Sequence, residues 1–589
     1  MKTPAYFLVI SLLAGLAGCS PQPKAAPEQM PPYDALIADV NVVDVAAEKV
    51  LAHQYVGLHG QRIAFVRATA PSATTQARRI DGTGKYLIPG LWDMHVHYDW
   101  NYEDATPLLL ANGIVGVREM FGTVGTVKEI RRKTAAGKIY GPEIVTSGAV
   151  VDGPNPTWSG SVAVSDTATA RRVVRRQAAE GADFVKVYSS LPRDAYFALA
   201  AEARKRGVPF AGHVPTDVSL YEAVAVGQRS AEHLYGLLEA CSARPKAVDA
   251  PVKKSYWSAK HQRYLARSFS RPKFDSLLRV LAPNNTWLCP TLVVLRSDAQ
   301  LNNPNFRQDK RVKFLPGYLM EGWSPRENAF ARGFTNEDYA ASKQTFELKK
   351  SLLGDMQKAG VKLLAGTDYP NPYCFPGFSL HDELQLMVEG GLTPVQALKT
   401  ATVNPAAYLQ KEADYGSIKP GQYASLLLLD ANPLANIANT RKIHAVMLKG
   451  KYFPAGTLRQ MLQQAEERAS RIAVSKWFWQ RAEAGSVPRA LDQLDSLVRQ
   501  RPEGYDYAEG TINGLGYALL SKQKVKEALR VFRLNTILYP ASANVYDSYG
   551  EVLLAGGQKK LAIENYRKSL ELDSANQSAR EALEKLVPP

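Results

Sequence analysis

The 589-residue sequence predicts an α/β protein with a central (β/α)₈ barrel, a small flanking β domain and C-terminal helical repeats. Three observations lead to this prediction. Eight short apolar strands alternate with amphipathic segments over roughly three hundred residues, as such a barrel requires. Val- and Ile-rich runs lie on both sides of the centre, and a helical pattern repeats after it. A doubly wound sheet is the weaker alternative, because no G-x-G-x-x-G follows the first strand.

The N-terminus predicts export and lipid anchoring. Lys2 precedes an apolar stretch, residues 6–17, that is too short to span a bilayer. The stretch ends in LAGC, which resembles a bacterial lipobox, so we expect residues 1–19 to be a lipoprotein signal peptide and Cys19 to be lipidated. Ser20 after the cysteine implies the outer membrane, with the protein facing the periplasm or the exterior. A plain cleaved signal peptide is the alternative, and residues 20–32 read as a flexible tether.

Charge and cysteine content narrow the possible partners. The formal net charge of +16 suits acidic ligands, but no Lys/Arg cluster is interleaved with aromatic residues, so we expect no nucleic-acid partner. Cys241, Cys289 and Cys374 form no C-x-x-C pair. Zinc binding by thiolates is therefore not expected, and a disulfide among the three is left open.

The strand pattern sets the predicted domain boundaries. We expect the β domain to combine residues 33–88 with residues 413–456, around a barrel over residues 89–412. Polar turns break its short runs, as in antiparallel strands. The eight barrel strands are predicted at residues 90–97, 113–119, 143–147, 184–188, 209–214, 230–234, 287–294 and 362–368.

The last region, residues 470–589, predicts tetratricopeptide repeats. Four pairs of positions match with an offset of 34 residues, namely Gly516 with Gly550, Leu519 with Leu553, Ala528 with Ala562, and Phe532 with Tyr566. A degraded earlier copy carries Ala490, Leu494 and Pro502. An unrelated helical bundle is the alternative, and a protein partner at these helices is possible in either case.

Metal-ligating side chains gather at the predicted strand ends. His95 and His97 are one residue apart on the first strand, so their imidazoles project from the same face. Four more candidates end later strands, namely Lys186, His213, His233 and Asp368. Closing the barrel would bring all six to one mouth, where neutral imidazoles suit a divalent metal. The remaining histidines lack this placement and are predicted to be structural: His53, His59, His261, His381 and His444.

Five segments occur in an order that resembles the amidohydrolase superfamily, particularly its imidazolonepropionase-like and prolidase-like branch: PGLWDMHVH, FVKVY, AGHV, AEHL and AGTD. The resemblance covers about residues 33 to 453. It implies a distorted TIM barrel that carries a β-sandwich built from both flanks. It also implies two divalent metal ions, usually zinc.

Carried over by position, the resemblance assigns His95, His97 and Asp368 to the more buried metal, and His213 and His233 to the more exposed one. Lys186, carboxylated by CO₂, would bridge the two as a carbamate. Asp368 would take a proton from a metal-bridging hydroxide nucleophile and return it to the leaving nitrogen. Tyr188, on the same strand face as Lys186, is a candidate donor to the carbonyl oxygen or else a packing aromatic.

One loop departs from the family pattern. Some prolidase-like relatives carry a substrate-binding histidine after the third strand, whereas SGAVVDGPNPTWSGS has none. It offers Asp152, Asn155, Thr157 and Trp158 instead. Transfer of a substrate from any single relative is therefore unsafe.

The leading functional prediction is a metal-dependent amidohydrolase that cleaves an amide or peptide-like C–N bond. Dipeptides, N-acyl amino acids and cyclic amides are the expected small-molecule substrates, and the positive net charge suits those that carry a carboxylate. A lactone or phosphotriester hydrolase is the alternative within enzymes, because a bridging hydroxide attacks those centres too. A non-catalytic lipoprotein scaffold that binds a partner through its repeats is the alternative outside enzymes.

Substituting the lipobox cysteine tests the anchoring prediction. Cys19→Ser should move the protein from the membrane to the soluble fraction without changing its hydrolytic rate, because only the lipid attachment is removed. Fractionation of cells followed by immunoblotting measures the distribution, with Ser20→Ala as the matched control. Continued membrane retention of Cys19→Ser would argue against lipidation at this residue.

Overall fold

The computed structural model describes residues 31–71, 77–243, 258–320, 322–574 and 576–587. The predicted signal peptide, Cys19 and nearly all of the tether lie outside these ranges. Within them, no helix is both long enough and apolar enough to cross a membrane.

The first flank supplies five strands. In the middle of the first of them, residues 38–42 alternate between buried and partly exposed, which matches the period of a half-buried strand. The strands are β1 (Ala35–Asp44), β2 (Lys49–His59), β3 (Arg62–Arg67), β4 (Arg78–Asp81) and β5 (Tyr86–Pro89).

Nine central strands pair only in parallel and form two sheets, in the orders β6-β7-β8 and β10-β9-β11-β12-β13-β14. Those equivalent to predicted strands are fully buried on both faces, apart from the partly exposed Glu143 at the start of β8, as expected where helices cover a parallel sheet. The strands are β6 (Leu91–Val96), β7 (Ile114–Glu119), β8 (Glu143–Thr146), β9 (Val151–Asp152), β10 (Val162–Ala163), β11 (Val185–Val187), β12 (Phe210–Gly212), β13 (Ser230–Glu232) and β14 (Trp287–Cys289).

Helices follow most of these strands, which makes the centre a mixed α/β fold consistent with a distorted barrel. They are α1 (Tyr102–Ala111), α2 (Val124–Ala135), α3 (Thr167–Glu180), α4 (Arg193–Arg206), α5 (Leu220–Ala225), α6 (Leu237–Ala240), α7 (Ala259–Ser268), α8 (Arg271–Leu281), α9 (Leu292–Gln300), α10 (Asn336–Ser351), α11 (Leu353–Lys358), α12 (Phe378–Glu389), α13 (Pro394–Thr400) and α14 (Val403–Leu409). Short 3₁₀ helices cover Asp99–Asn101, Phe306–Gln308, Lys310–Phe314, Gly317–Met320 and Ile437–Arg441.

The predicted eighth strand, residues 362–368, was wrong as a regular strand. This segment makes only single-residue parallel bridges, Leu363 with Leu288 and Tyr369 with Val96. It still closes the ring, since the Leu288 amide donates to Lys362 O (2.9 Å) and the Met94 amide donates to Ala365 O (2.9 Å). Asp368 interrupts the ladder because its backbone is left-handed, with φ of 58°.

The predicted seventh strand, residues 287–294, was too long. It ends at Cys289, and α9 begins at Leu292. Pro290 has no N–H to donate to a ladder, and Thr291 takes a left-handed conformation with φ of 47°. The apolar run after Thr291 is therefore the buried face of a helix rather than a strand.

The two flanks meet in one eight-stranded sheet of order β17-β16-β15-β5-β1-β2-β3, in which β4 pairs with β1. The later flank supplies β15 (Leu426–Leu429), β16 (Ile443–Leu448) and β17 (Lys451–Pro454). Strands from both predicted parts of the β domain thus pair in one sheet, and the domain boundaries stay a prediction. The expectation of antiparallel strands was incomplete, because β1 pairs in parallel with β4 and β5.

The C-terminal region is helical apart from two very short strands. Gly516 lies under the ring of Phe532 and Gly550 under the ring of Tyr566, so the predicted equivalent positions form equivalent contacts. Their identity as tetratricopeptide repeats stays a prediction. The elements are α15 (Ala455–Ala469), β18 (Ile472–Ala473), α16 (Val474–Ala484), α17 (Val487–Gln500), β19 (Tyr505–Asp506), α18 (Glu509–Ser521), α19 (Val525–Leu538), α20 (Ala543–Ala555), α21 (Lys559–Leu572) and α22 (Gln577–Leu586).

A leucine in β15 tests how strongly the β domain is tied to the centre. Leu427 is fully buried and packs over Gly113 at the start of β7. Leu427→Ala should lower the free energy of unfolding by about 3 kcal/mol, because it leaves a cavity at this junction. Denaturant unfolding followed by tryptophan fluorescence measures the change. The exposed Leu554 supplies the control Leu554→Ala; equal stability of the two variants would contradict the expectation.

Candidate metal centre

The structure brings the six predicted side chains together at the C-terminal ends of the central strands. His95 lies in β6 and Lys186 in β11, while His97, His213 and His233 directly follow the ends of β6, β12 and β13. The ring centroids of His95 and His233 are 4.7 Å apart, and those of His213 and His233 are 4.9 Å apart. Asp368 projects into the same cluster from the segment that closes the ring.

One carboxylate oxygen joins the two histidines of the first strand. Asp368 Oδ1 lies 3.2 Å from His95 Nε2 and 3.0 Å from His97 Nε2. Ligand atoms of these three residues all lie within 4.8 Å of one another, as a shared metal ion requires. Burial alone would raise the pKa of Asp368, but the neighbouring His95 and His233 hold it well below its usual range.

The second nitrogen of each buried imidazole is engaged by a separate group. His95 Nδ1 donates to Glu232 Oε2 (2.9 Å), and His213 Nδ1 lies 2.6 Å from Ser189 Oγ. His233 Nδ1 lies 2.7 Å from Thr291 Oγ1, whose own hydrogen is donated to Pro290 O. The His233 contact therefore places its hydrogen on Nδ1. Metal-binding histidines are usually supported in this way, which leaves Nε2 as the ligand.

Electrostatics favour neutral imidazoles at two of these positions. Burial and the positive charge near them lower the pKa of His213 and of His233 well below the usual value. A neutral ring keeps a lone pair for a metal. Burial would also lower the pKa of His97, but contact with the carboxylates of Asp368 and Glu119 raises it to about 9.

Lys186 is fully buried within this cluster. Burial lowers its pKa to about 8, although the negative charges of Glu232 and Asp368 oppose the shift. Its ammonium lies 6.0 Å from the centroid of the Tyr188 ring. The amine is therefore more readily deprotonated than an ordinary lysine.

A buried ion pair beneath the cluster was missed by the sequence analysis. Arg118 Nη2 donates to both carboxylate oxygens of Glu232, at 3.0 and 2.9 Å, and Arg118 also donates to Ser230 and Tyr408. Burial would raise the pKa of Glu232, but Arg118 and His95 lower it, so the carboxylate is ionised. A charged residue inside the apolar run IVGVRE was the available signal.

Tyr188 lies at the edge of the cluster. Its ring stacks on His213 with centroids 4.0 Å apart, and its hydroxyl accepts a hydrogen bond from Trp158 Nε1 (2.7 Å). Asp152 accepts backbone hydrogen bonds from Thr157 and Ser190 instead of facing the histidines, and Asn155 is exposed. In the loop that departs from the family pattern, Trp158 is thus the candidate that contacts the site, through Tyr188.

The remaining histidines have other partners, and the three cysteines are buried and free. His381 contacts Thr440 and the carbonyl of Asn112, and His261 contacts Glu239. The other three contact surface carboxylates, His53 with Asp39, His59 with Asp34 and His444 with Asp430. The disulfide left open by the sequence does not form among these cysteines.

Comparisons with known proteins match this chain to one protein family and fold. The profile described as "Amidohydrolase family" matches residues 86–452, which is more than half of the chain. Ochratoxinase of Aspergillus niger is 24% identical over 440 residues, covering 64% of this chain and 77% of that enzyme. Bottromycin amidohydrolase superposes with a TM-score of 0.56 at 21% identity, over 74% of this chain and 90% of that one. A Xaa-Pro dipeptidase with bound methionine in its active site superposes with a TM-score of 0.53 at 18% identity, over 71% of this chain and 99% of that one. Both solved structures share the fold of this chain.

The Arg118–Glu232 pair generates a prediction about metal affinity. Glu232→Gln should weaken divalent-metal binding by about 10- to 100-fold, because His95 loses the carboxylate that fixes its ring and tautomer. Titration of a fluorescent chelator competing with the protein measures the affinity. Glu143→Gln, at a glutamate paired with Lys411 and Lys449 at the surface, is the matched control. An affinity of Glu232→Gln equal to that of the control would show that the pair does not support the site.

Proposed function

The chain belongs to the amidohydrolase family, and from this premise we propose that it is a metal-dependent hydrolase of an amide or peptide-like bond. Membership makes it a hydrolase that acts on carbon–nitrogen bonds. The observation that carries the metal dependence is the convergence of His95 Nε2 and His97 Nε2 on one oxygen of Asp368. The scaffold alternative has no such feature in its favour.

The proposed substrates are dipeptides, N-acyl amino acids or cyclic amides. The similar proteins named ochratoxinase, bottromycin amidohydrolase and Xaa-Pro dipeptidase support an amide or peptide bond as the target. Their identities are too low for any one of these substrates to be transferred to this chain.

The residues fit a pair of divalent cations, which we propose to be zinc. His95, His97 and Asp368 would hold one cation, and His213 and His233 the other. Nε2 of His95 is buried without a hydrogen-bond partner among the described residues, so this nitrogen is available to coordinate a metal at the first site. When bound, the cations lower the pKa of a water molecule and polarise the substrate carbonyl.

The protein's own groups would then handle protons. Asp368 would receive a proton on a carboxylate oxygen from the attacking water and return it to the leaving nitrogen. Tyr188 would donate to the carbonyl oxygen as negative charge develops there. Trp158 supplies the hydrogen in its contact with Tyr188, so that contact does not use the hydrogen of the hydroxyl. Burial raises the pKa of Tyr188, which favours the protonated form.

Lys186 is proposed to carry a carbamate. The reaction needs the neutral amine, whose nitrogen bonds to the carbon of CO₂ and loses a proton. The lowered pKa of Lys186 increases the fraction of that form. Carboxylation would also replace a costly buried cation with an anion among the imidazoles.

Roles are also proposed for the N-terminal segment and the C-terminal helices. We propose that residues 1–19 direct lipid anchoring at the outer membrane, and that the C-terminal helices are tetratricopeptide repeats able to bind a protein partner. Support for the repeats comes from the equivalent Gly516–Phe532 and Gly550–Tyr566 contacts.

Hydrolysis of a substrate panel by the metal-loaded protein tests the proposed function. The panel contains mixed dipeptides, N-acyl amino acids, cyclic amides, a lactone and a phosphotriester. Turnover of an amide, with product release confirmed by mass spectrometry, is the expected result. Hydrolysis confined to the lactone or the phosphotriester would transfer the assignment to those bonds.

Removing the proposed bridge gives the most specific mutational prediction. Lys186→Ala should lose bound metal and lower turnover at least about 100-fold, because removing a ligand should cost no less than removing a residue that supports one. Short-chain carboxylic acids should restore part of the activity by replacing the carbamate. Elemental analysis and turnover are measured with and without propionate, and Lys205→Ala, on an exposed lysine, is the control. Normal activity of Lys186→Ala would refute the bridging assignment.

A further inference from the structure

A small cavity lies beside the histidine cluster, among helices α6, α7, α9 and α10. It encloses about 40 Å³. Since a water molecule needs roughly 10–15 Å³ by this measure, the cavity holds a few waters or one group the size of a carboxylate. The ring of Tyr235 lines the cavity and lies 4.9 Å from the ring of His233 and 5.0 Å from that of His213. The cavity is thus adjacent to the proposed metal ligands.

Lys349 of α10 presents a buried positive charge to this cavity. The residue is only 7% exposed. Its ammonium donates to the backbone carbonyl of His233 at 3.0 Å and faces the Tyr235 ring at 5.2 Å. Among the described residues it forms no ion pair with a carboxylate. Because a buried ammonium is costly unless it is paired, the arrangement calls for an anionic partner.

The other charged groups of the cavity do not supply that partner. Glu239 is engaged with His261, whose Nε2 lies 3.0 Å from its Oε1. Asp298 also lines the cavity, where burial raises the pKa of its carboxyl group to about 7, so it carries only part of a negative charge at neutral pH. Both carboxylates act on Lys349 from beyond ion-pair distance, so its ammonium has no carboxylate in direct contact among the described residues.

We propose that Lys349 binds the α-carboxylate of an amino acid on the nitrogen side of the scissile amide, an inference that rests on the proposed function. The carbonyl held by Lys349 belongs to His233, so a bound carboxylate would lie next to the metal ligands. In an N-acyl amino acid or a dipeptide, one carbon separates that carboxylate from the reacting nitrogen. A carboxylate in the cavity, close to the metal ligands, requires such a short link to the reacting nitrogen. The cavity has room for the carboxylate group but not for the rest of the substrate.

A matched pair of substrates tests the inference on the unmodified protein. N-acetyl-L-leucine and N-acetyl-L-leucinamide share the same acetyl–nitrogen bond and differ only in the carboxylate. We expect kcat/KM for acetate release to be about 10- to 100-fold higher for the acid, mostly through KM, because a hydrogen bond to a charged group is lost in the amide. Calorimetric binding of L-leucine and L-leucinamide should show the same preference and does not depend on turnover.

Substitutions then assign the preference to the residue. Lys349→Met keeps the apolar length of the side chain and should lower kcat/KM for the acid to about that for the amide, so that the variant no longer distinguishes the two substrates. Lys343→Met, at an exposed lysine of the same helix, is the control and should behave like wild type. A larger loss in Asp298→Asn than in Lys349→Met would overturn the inference in favour of a cationic substrate group.

The outcomes separate this inference from the proposed function. Equal hydrolysis and equal binding of the acid and the amide by the unmodified protein would overturn the carboxylate assignment while leaving the amidohydrolase in place. Absence of leucine binding would overturn it as well, whether or not Lys349→Met folds. Failure to hydrolyse any amide of the wider panel would instead count against the proposed function.

Discussion

The carboxylate of Asp368 contacts both histidines of the first central strand. The backbone conformation at Asp368 directs this carboxylate toward them, and the arrangement of the site depends on it. A regular strand would direct this side chain by simple alternation. Here the chain turns into a left-handed conformation at Asp368, which costs a non-glycine residue of order 1 kcal/mol. The Asp368 amide donates to His95 O at 2.7 Å, so the strained residue is fixed to the strand that it serves. His233 repeats the pattern, with φ of 60° and a hydrogen bond to Cys289 O.

Below this layer, the buried pair of Arg118 and Glu232 sets the orientation of His95. Neither charge is solvated, so each depends on the other and on the polar groups around them. Tyr408 ties the pair to α14 and Ser230 ties it to β13. A change in the position of either element would therefore shift the ion pair and, through it, the ring of His95. The close approach of Gly366 to the His95 backbone, where a Cβ would meet His95 N at 2.9 Å, leaves little room for the cluster to adjust.

The sequence could predict a cluster of residues in or just after the last turns of the strands, because a parallel barrel brings the ends of successive strands together in space. His95, His97, Lys186, His213 and His233 were proposed in this way, and their side chains lie together in the structure. The exact course of residues 362–369 could not be read from the sequence, since its left-handed turn depends on contacts with β6. Arg118, Thr291 and Lys349 act through partners far away in the chain, and their residue types alone gave little indication. The parallel pairing of β1 with β4 and β5 likewise depends on how distant segments pack, so the sequence pattern did not predict it.

The proposed chemistry of Asp368, Tyr188 and Lys186 requires this cluster to hold two divalent cations. Elemental analysis of the purified protein, after loading with zinc and removal of free metal, tests that claim most directly. We predict about two equivalents per chain, falling to near zero when His95, His97 and Asp368 are replaced together with His213 and His233. Less than about half an equivalent in the unmodified protein after loading would contradict the account.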